Sequence, residues 1–278
     1  MSFHRRQFLE MSAAGLWAVP ALLSRPGVAL GQTPATEVDP SVPAISPTYP
    51  AHDPDQARDM VGASHGNIAR VKELLAVSGT LAKASWDWGF GDWETAIGAA
   101  SHVGNREILA LLMENGARPE LYAFAMLGNL EAVRAAVVAN PGVQRILGPH
   151  GLTLLHHARQ GGEAAAGVVA YLESLGDADT GYENLPLPAD GATLYVGQYA
   201  FGSGPEDRFD VSTNKNGALG IKRLPGGAFR NLFHQGGNAF HPPGNPVVRI
   251  RFDLTSGPAE QLTIVEGART IIARRVQA

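Results

Sequence analysis

The stretch that decides the fold is TAIGAASHVGNREILALLMENGA, from Thr95 to Ala117. It contains two helical segments with a break at Gly104 between them, and small residues dominate the first segment. In the second segment, the apolar side chains of residues 108–112 form a stripe that a single pair of helices cannot bury by itself. The stretch therefore predicts a helix–turn–helix unit that packs against similar neighbours.

The same arrangement occurs elsewhere between residues 55 and 179, with breaks at Gly66, Gly128 and Gly161. Self-similarity at such intervals is typical of repeat architectures, in which each unit buries its apolar face against the next unit. Small side chains would let the stacked helices approach closely. These are Ala99, Ala100, Ala132, Ala135 and Ala158.

These motifs resemble ankyrin repeats. In GLTLLHHARQGG, Thr153 and His156 match the Thr-Pro-Leu-His start of the family, although Leu154 stands where proline is usual. The segment LLMENGA, residues 111–117, matches the Leu-Leu-x-x-Gly-Ala ending. The resemblance implies about four degenerate repeats over residues 55–179 that form an α-solenoid, with a concave face and hairpin loops for a protein partner.

The sequence pattern changes from helical to β-rich after a predicted linker at residues 180–192. Short runs rich in β-branched and aromatic residues follow, and Asn216-Gly217 between two of them favours a hairpin turn. The spacing predicts an antiparallel β-domain over residues 193–278. This region resembles the β-domain appended to exported serine hydrolases of the penicillin-binding-protein-like class, from which we carry over no activity.

The predicted fold class is therefore α+β multidomain, with an ankyrin-type α-solenoid followed by a small antiparallel β-sandwich or barrel. The start of the chain is predicted to be a targeting signal rather than part of a folded domain. The residues Arg5, Arg6, Phe8 and Leu9 precede an apolar run and resemble a twin-arginine export signal over residues 1–31, cleaved after Ala29 or Gly31.

The export signal predicts a periplasmic protein, with secretion as an alternative, that folds before it crosses the membrane. An ordinary secretory signal with a chance arginine pair is the other interpretation. The proline-rich residues 32–54 are predicted to be an extended linker. No later segment is apolar enough to predict stable membrane insertion after the signal is removed.

Composition excludes several classes of function. The sequence contains no cysteine, which excludes disulfides, thiolate iron–sulfur clusters and covalent haem attachment. The formal net charge of −4 argues against nucleic acid and anionic lipid as partners. We find no Gly-x-Ser-x-Gly elbow, no phosphate-binding glycine-rich loop and no His-Glu-x-x-His pair.

The histidine pairs do not predict a metal site. On a helix, His156 and His157 point about 100° apart and cannot readily share one ion, so a structural role is favoured. His234 and His241 lie in a Gly/Pro-rich loop without a carboxylate beside them. We therefore expect no metal, no cofactor and no catalytic residues.

The aromatic cluster WDWGFGDW is the strongest candidate for a binding site. Trp86, Trp88, Phe90 and Trp93 fall between the first two repeats, where the ankyrin family has a projecting loop. Tryptophan side chains often dominate the binding energy of interfaces. The alternative is that these rings fold back and cap the first repeat.

The function predicted from the sequence is a non-enzymatic interaction or scaffold module of the cell envelope, with a protein partner whose identity the sequence does not give. One alternative is an accessory or maturation factor for an exported cofactor enzyme. Another is a small-molecule-binding or hydrolytic role of the β-domain, where Arg249 and Arg251 alternate on one strand and would hold an anion.

Overall fold

The computed structural model describes residues 46–188 and 191–277, and within these ranges the helices come mainly in antiparallel pairs. The paired helices precede the large sheet, and one short helix leads into it. Their bounds are α1 Pro54–Ala63, α2 Ile68–Val77, α3 Ala96–His102, α4 Arg106–Glu114, α5 Leu121–Leu127, α6 Leu130–Ala139, α7 Leu154–Gln160, α8 Ala166–Leu175 and α9 Gly191–Tyr195.

Asparagine caps begin the second helix of three pairs. The side-chain oxygens of Asn67, Asn105 and Asn129 each accept a backbone N–H from the first turn of the helix that follows. Such a cap satisfies one of the four N–H groups that a helix start leaves unpaired, which is worth about 1 kcal/mol. The turn motif seen in the sequence therefore has a physical basis at each of these positions.

Glycine is required in the turns that join the paired helices. At Gly104 the backbone has a φ of +74°, and a Cβ atom would lie 2.5 Å from the carbonyl oxygen of Gln160. At Gly128 the φ is +85°, and a Cβ atom would lie 2.1 Å from the carbonyl oxygen of Ala164. Only glycine adopts this conformation without strain and leaves room for the neighbouring helix pair.

Two apolar clusters hold the helices together. Met60, Leu81, Ile108 and Leu112 are among the fully buried members of the first cluster, which spans α1 to α5. The second cluster packs α5 to α8 around Leu154 and similar side chains. The amphipathic stripes predicted from the sequence thus face these two clusters.

The strands form one small hairpin and one large antiparallel sheet. The hairpin pairs β1 Ser85–Asp87 with β2 Trp93–Thr95. The strands of the large sheet are β3 Gly197–Ala200, β4 Arg208–Thr213, β5 Leu219–Leu224, β6 Arg230–Asn231, β7 Phe233–His234, β8 Ala239–His241, β9 Arg249–Asp253, β10 Gln261–Glu266 and β11 Arg269–Arg275. Its order is β6-β5-β4-β3-β11-β10-β9-β8-β7, so the two edge strands are consecutive in the sequence.

The nine-stranded sheet is nearly closed, like a barrel, because its two edges meet at the short β6–β7 connection. Alternate side chains point inward, as in β9, where Ile250 and Phe252 are buried and Arg249, Arg251 and Asp253 are exposed. The interior is filled by aromatic and aliphatic side chains. They include Tyr195, Tyr199, Phe209, Phe240, Val211, Ile221, Leu262 and Ile264.

The fold class predicted from the sequence, an ankyrin-type α-solenoid followed by a small β-sandwich or barrel, is wrong. In a solenoid each repeat contacts only its neighbours, whereas here α3 contacts α7, and His65, which follows α1, faces His150 just before α7. The described residues form nine helices and one nearly closed nine-stranded sheet. The repeat pattern reports local helix pairs and carries no information on contacts between distant pairs.

Two further predictions concern the start of the chain. The predicted export signal, with Arg5, Arg6, Phe8 and Leu9, and most of the predicted linker at residues 32–54 lie outside the described residues. Within the described ranges, none of the helices combines the length and apolar character needed to span a bilayer. The described helices and the large sheet belong to one compact unit.

Candidate metal centre

Four side chains from distant parts of the chain converge at one point. His65, Glu94, His102 and His150 each direct one nitrogen or oxygen atom into a common space, and these four atoms lie within 4.8 Å of one another. His65 follows α1, Glu94 is in the middle of β2, and His102 is the last residue of α3. His150 lies in a short 3₁₀ turn ahead of α7, so only the folded chain brings the four together.

The backbone fixes the ring of His65. Its Nδ1 lies 3.1 Å from the carbonyl oxygens of both Val61 and Gly62, so Nδ1 carries the proton and donates it there. The unprotonated Nε2 is then directed inward, 3.4 Å from Oε2 of Glu94. A hydrogen bond from the other ring nitrogen to a backbone carbonyl orients metal-binding histidines in many proteins.

Glu94 is buried at the centre of the cluster. Its side chain has no exposed surface, and the indole Nε1 of Trp88 donates a hydrogen bond of 2.7 Å to Oε2. The other oxygen, Oε1, faces Nδ1 of His102 at 3.0 Å and Nε2 of His150 at 3.4 Å. The β1–β2 hairpin therefore presents one carboxylate oxygen to two imidazoles.

Oε1 of Glu94 and Nδ1 of His102 are the decisive pair of atoms. Both are buried, and neither has a hydrogen-bond partner among the described residues, although they are 3.0 Å apart. Buried polar atoms in native proteins are almost always paired, so an orphaned nitrogen and oxygen that face one another need an explanation. A cation that both atoms bind would supply it.

Asp92 orients the ring of His150. The Nδ1 of His150 donates to Oδ2 of Asp92 at 2.8 Å, and the backbone N–H of His150 donates to Oδ1 at 2.7 Å. These bonds leave Nε2 directed at Glu94. His150 has a φ of +62°, a conformation that costs free energy in a non-glycine residue and that collects at functional sites.

Arg230 brings the large sheet into the same network. This residue starts β6, and its Nη1 lies 2.5 Å from Oδ2 of Asp92. Only 12% of its side chain is exposed, and 1% of that of Asp92. The guanidinium therefore neutralises a buried carboxylate next to the four converging side chains.

The charges of the cluster follow from its contacts. Burial alone would raise the pKa of Glu94, but the imidazoles of His102, His150 and His65 around it hold that pKa well below its usual range. Burial would lower the pKa of His150, yet its contacts with Asp92 and Glu94 raise it to about 9. Desolvation lowers the pKa of His65. In the absence of a metal, the proton on His150 thus supplies a positive charge between two carboxylates.

The donor set fits a borderline divalent ion. Three imidazoles and one carboxylate, with no thiolate, suit Zn²⁺ and related first-row ions. With bonds of about 2.1 Å, a tetrahedral ion holds its ligand atoms about 3.4 Å apart. The distances from Glu94 to His102 and His150 are already 3.0 and 3.4 Å, and the four atoms lie within 4.8 Å of one another, so the side chains would have to move closer to complete the geometry.

The four histidines that the sequence analysis discussed are not among the converging side chains. His157 is fully buried and binds Ser101 Oγ through Nδ1 at 2.8 Å, and His156 Nε2 donates to the carbonyl oxygen of His102 at 3.1 Å. Neither directs a nitrogen into the cluster. His234 and His241, in the large sheet, contact backbone carbonyl oxygens instead.

The predicted aromatic binding site does not form one exposed patch. Trp86 and Trp88 are half-buried against the helical core, whereas Phe90 packs against the interior of the large sheet. Trp93 alone of the four is highly exposed, at 63%. Arg249 and Arg251, named for an alternative anion site, are exposed on β9. Arg249 donates from Nη1 to the carbonyl oxygen of Pro246, and Arg251 lines a separate cavity with Asn238 and Asp253.

Sequence reasoning missed the four converging residues together with Asp92 and Arg230. One signal was present: Ala-Ser-His followed by Gly-Asn occurs at residues 63–67, and with one extra residue at 100–105. A histidine in the same place of two helix pairs indicates two side chains on the same side of the stack. Nothing local marks Glu94 or His150 as their partners.

Comparisons with known proteins give little for this chain. No family model matches the sequence, and no curated protein matches it. Two crystal structures of SurE, one of them with D-Leu, are similar to part of it at 24% identity and a TM-score of 0.23. The matches cover 42% and 43% of this chain but only 27% and 28% of the SurE chains. A likeness of this size is too low to indicate fold or function.

Proposed function

We propose that this protein binds a divalent transition-metal ion, with Zn²⁺ as the best fit, and that the ion has a structural role. The ligand atoms are His65 Nε2, Glu94 Oε1, His102 Nδ1 and His150 Nε2. The observation that carries the proposal is the buried, unpaired contact between Glu94 Oε1 and His102 Nδ1. An ion between the two atoms would pair both of them.

A structural role follows from the number of protein ligands. Four ligands complete a tetrahedral site, whereas catalytic zinc sites leave one position for water or substrate. The ion would join segments that lie far apart in the sequence, from His65 to His150. Through Asp92 and Arg230 it would also fix the position of the helices against the large sheet.

The cluster is accessible enough to be loaded with metal. The side chains of His65 and His150 are 31% and 22% exposed, whereas those of Glu94 and His102 are 0% and 9% exposed. An ion would therefore enter past His65 and His150 and end beside the buried carboxylate. If residues 1–31 act as the predicted export signal for folded proteins, loading would precede export.

The interaction role predicted from Trp86, Trp88, Phe90 and Trp93 stays a prediction, and a metal-stabilised scaffold is compatible with it. The ankyrin resemblance also stays a prediction. The contacts of Trp88 favour a second use for that side chain, since its indole N–H holds Glu94 in place.

Metal stoichiometry tests the proposal. The full-length chain is stripped with a chelator, dialysed against Zn²⁺ and analysed by elemental mass spectrometry, and we expect one ion per chain. His102→Ala should reduce the bound metal to a small fraction. His234→Ala is the matched control, because His234 is 6% exposed and His102 is 8% exposed, but His234 contacts backbone carbonyls.

Thermal unfolding gives a second readout. At a free Zn²⁺ concentration of about 100 times the dissociation constant, the ion should stabilise the fold by about 2.7 kcal/mol. For a domain of this size the unfolding midpoint should rise by about 5 to 10 °C. His234→Ala should keep this rise and His102→Ala should lose it. Stoichiometric binding by His102→Ala, or none by the parent chain, contradicts the proposal.

A further inference from the structure

A cleft lies beside the metal centre, between the β1–β2 hairpin and the turn that follows β5. Its volume is about 270 Å³, and it is lined by Trp86, Asp87 and Trp88 on the hairpin side. On the other side lie Arg223 of β5 and residues 225–228 of the turn that follows it, and Arg58 of α1 completes the wall. The cleft therefore combines two indole rings with two guanidinium groups.

The indole rings give the cleft an apolar floor. Trp86 and Trp88 are half-buried, and both pack against the helical core while they line the cleft. Gly62 of α1 lies against Trp88, since a Cβ at that position would be in ordinary van der Waals contact with the ring atom Cη2, at 3.7 Å. Large aromatic side chains held in this way are suited to stack on a flat apolar ligand.

The two arginines are positioned by backbone contacts. Arg58 donates from Nη2 to the carbonyl oxygen of Gly226 at 2.8 Å, and Arg223 donates from Nε to that of Glu206 at 3.2 Å. The guanidinium of Arg223 also lies over the ring of Phe201 and 3.9 Å from Oδ1 of Asp207. A guanidinium has five N–H donors, so both arginines still have donors beyond these contacts. The lining residues include two guanidiniums and one carboxylate, that of Asp87, while Asp207 outside the lining offsets part of the charge of Arg223.

We propose that this cleft binds a small planar organic anion, of the class of aromatic carboxylates. The ring would stack on Trp86 and Trp88, and the carboxylate would accept hydrogen bonds from Arg58 and Arg223. Paired N–H donors of a guanidinium match the two oxygens of a carboxylate. A neutral ring or a small anion without a ring would use only one half of the cleft.

Trp88 links the cleft to the metal centre. Its ring lines the cleft, and its Nε1 donates to Oε2 of Glu94 at 2.7 Å. This step rests on the proposed function: a ligand that holds the Trp88 ring also fixes the carboxylate that binds the ion. Metal and anion should then raise each other's affinity by the same factor, since such coupling is reciprocal.

Calorimetric titration of the full-length, metal-free chain tests the cleft. The probe is benzoate, with acetate as the anion without a ring and benzyl alcohol as the ring without a charge. Benzoate should bind about tenfold more tightly than either, because only benzoate uses both halves. Equal binding of benzoate and acetate overturns the proposal.

Variants separate the cleft from the metal centre. Arg58→Ala combined with Arg223→Ala should weaken benzoate about tenfold or more and leave the Zn²⁺ stoichiometry at one. Arg269→Ala is the matched control, since Arg269 is an exposed arginine at the start of β11, 72% exposed and paired with Glu266. Its benzoate affinity should not change. Unchanged benzoate binding by the double variant overturns the proposal.

His102→Ala distinguishes the two proposals. It should lose Zn²⁺ and still bind benzoate, so a failure of the metal centre leaves the cleft standing. In the parent chain, benzoate should bind more tightly with Zn²⁺ than without it, and this difference should disappear in His102→Ala. Identical benzoate affinities with and without Zn²⁺ in the parent chain overturn the coupling.

Discussion

Buried histidines in the two regions of this molecule have different partners. In the large sheet, His234 contacts the carbonyl oxygens of Leu185 and Gly237 at 3.1 and 2.9 Å, and His241 contacts that of Pro242 at 2.9 Å. Among the helices, His102 and His150 face the carboxylates of Glu94 and Asp92. A ring nitrogen that faces a backbone carbonyl oxygen is not directed at an ion, as for both nitrogens of His234, whereas an imidazole that faces a carboxylate can bind one.

Burial does not distinguish the two sets. His234 and His241 are 6% and 4% exposed, and His102 is 8% exposed. The difference is the kind of partner, a backbone carbonyl oxygen in the sheet and a side-chain carboxylate among the helices. A buried histidine therefore indicates a site only when its nitrogens face other side chains, and this cannot be read from the sequence around it.

The largest expected effect comes from breaking the ion pair that joins the regions. Asp92→Ala removes the carboxylate that pairs with Arg230 and leaves a largely buried guanidinium without its ion-pair partner. Such a change typically costs about 3 to 5 kcal/mol of unfolding free energy. We expect this loss in urea unfolding of the chelator-treated chain, measured by far-UV circular dichroism.

Asp210→Ala is the control for this prediction. Asp210 lies 3.6 Å from Lys222 on the sheet, and these side chains are 23% and 38% exposed. An ion pair of this exposure should contribute about 1 kcal/mol or less. If both variants lose the same amount, the Asp92–Arg230 pair is no more important than a surface pair.

Local patterns in the sequence predicted local structure. The Asn216-Gly217 turn does join β4 to β5, and Gly217 has a φ of +79°. The break glycines Gly104 and Gly128 do stand between paired helices. Turn chemistry and amphipathic stripes depend on neighbours in the sequence, so they could be read without a structure.

The site could not be predicted because its residues are distant in sequence. Glu94 and His150 stand alone in their segments, and only the packing of α3 against α7 brings them together. The solenoid prediction was wrong for a related reason, since a repeat pattern says nothing about contacts that skip a repeat. His65 and His102 share a motif, but a shared motif without its partners does not indicate a ligand set.

The next effect concerns a buried histidine beside the centre. Burial lowers the pKa of His157 to about 3, against a usual value of about 6.5. Because the folded state disfavours the protonated ring, the full stability is present above pH 6.5 and is lost as the pH falls toward 3. At pH 5 the expected loss is about 2 kcal/mol.

His157→Phe tests the predicted direction of the pH dependence, a loss of unfolding free energy as the pH falls. The variant keeps the bond from Ser101 Oγ to the carbonyl oxygen of Tyr122 and removes the titrating ring. Urea unfolding at pH 7.5 and pH 5, with chelator present, should show a smaller acid loss in the variant than in the parent, by about 2 kcal/mol. The remaining histidines are present in both proteins, so the comparison isolates the contribution of His157. An equal acid loss in both would mean that His157 is protonated in the folded state.

The smallest expected effect is that of Trp93→Ala, which contrasts with the effect of Trp88→Phe near the same hairpin. Trp93 is 63% exposed, so Trp93→Ala should change the unfolding free energy by no more than about 0.5 kcal/mol. Trp88→Phe removes the indole donor from the buried carboxylate of Glu94 and should cost about 1.5 to 3 kcal/mol. The exposed ring is then free to serve a partner, and the half-buried ring serves the centre. A large loss in Trp93→Ala would mean that the hairpin folds as one unit, and that the predicted binding role of Trp93 cannot be tested by that substitution.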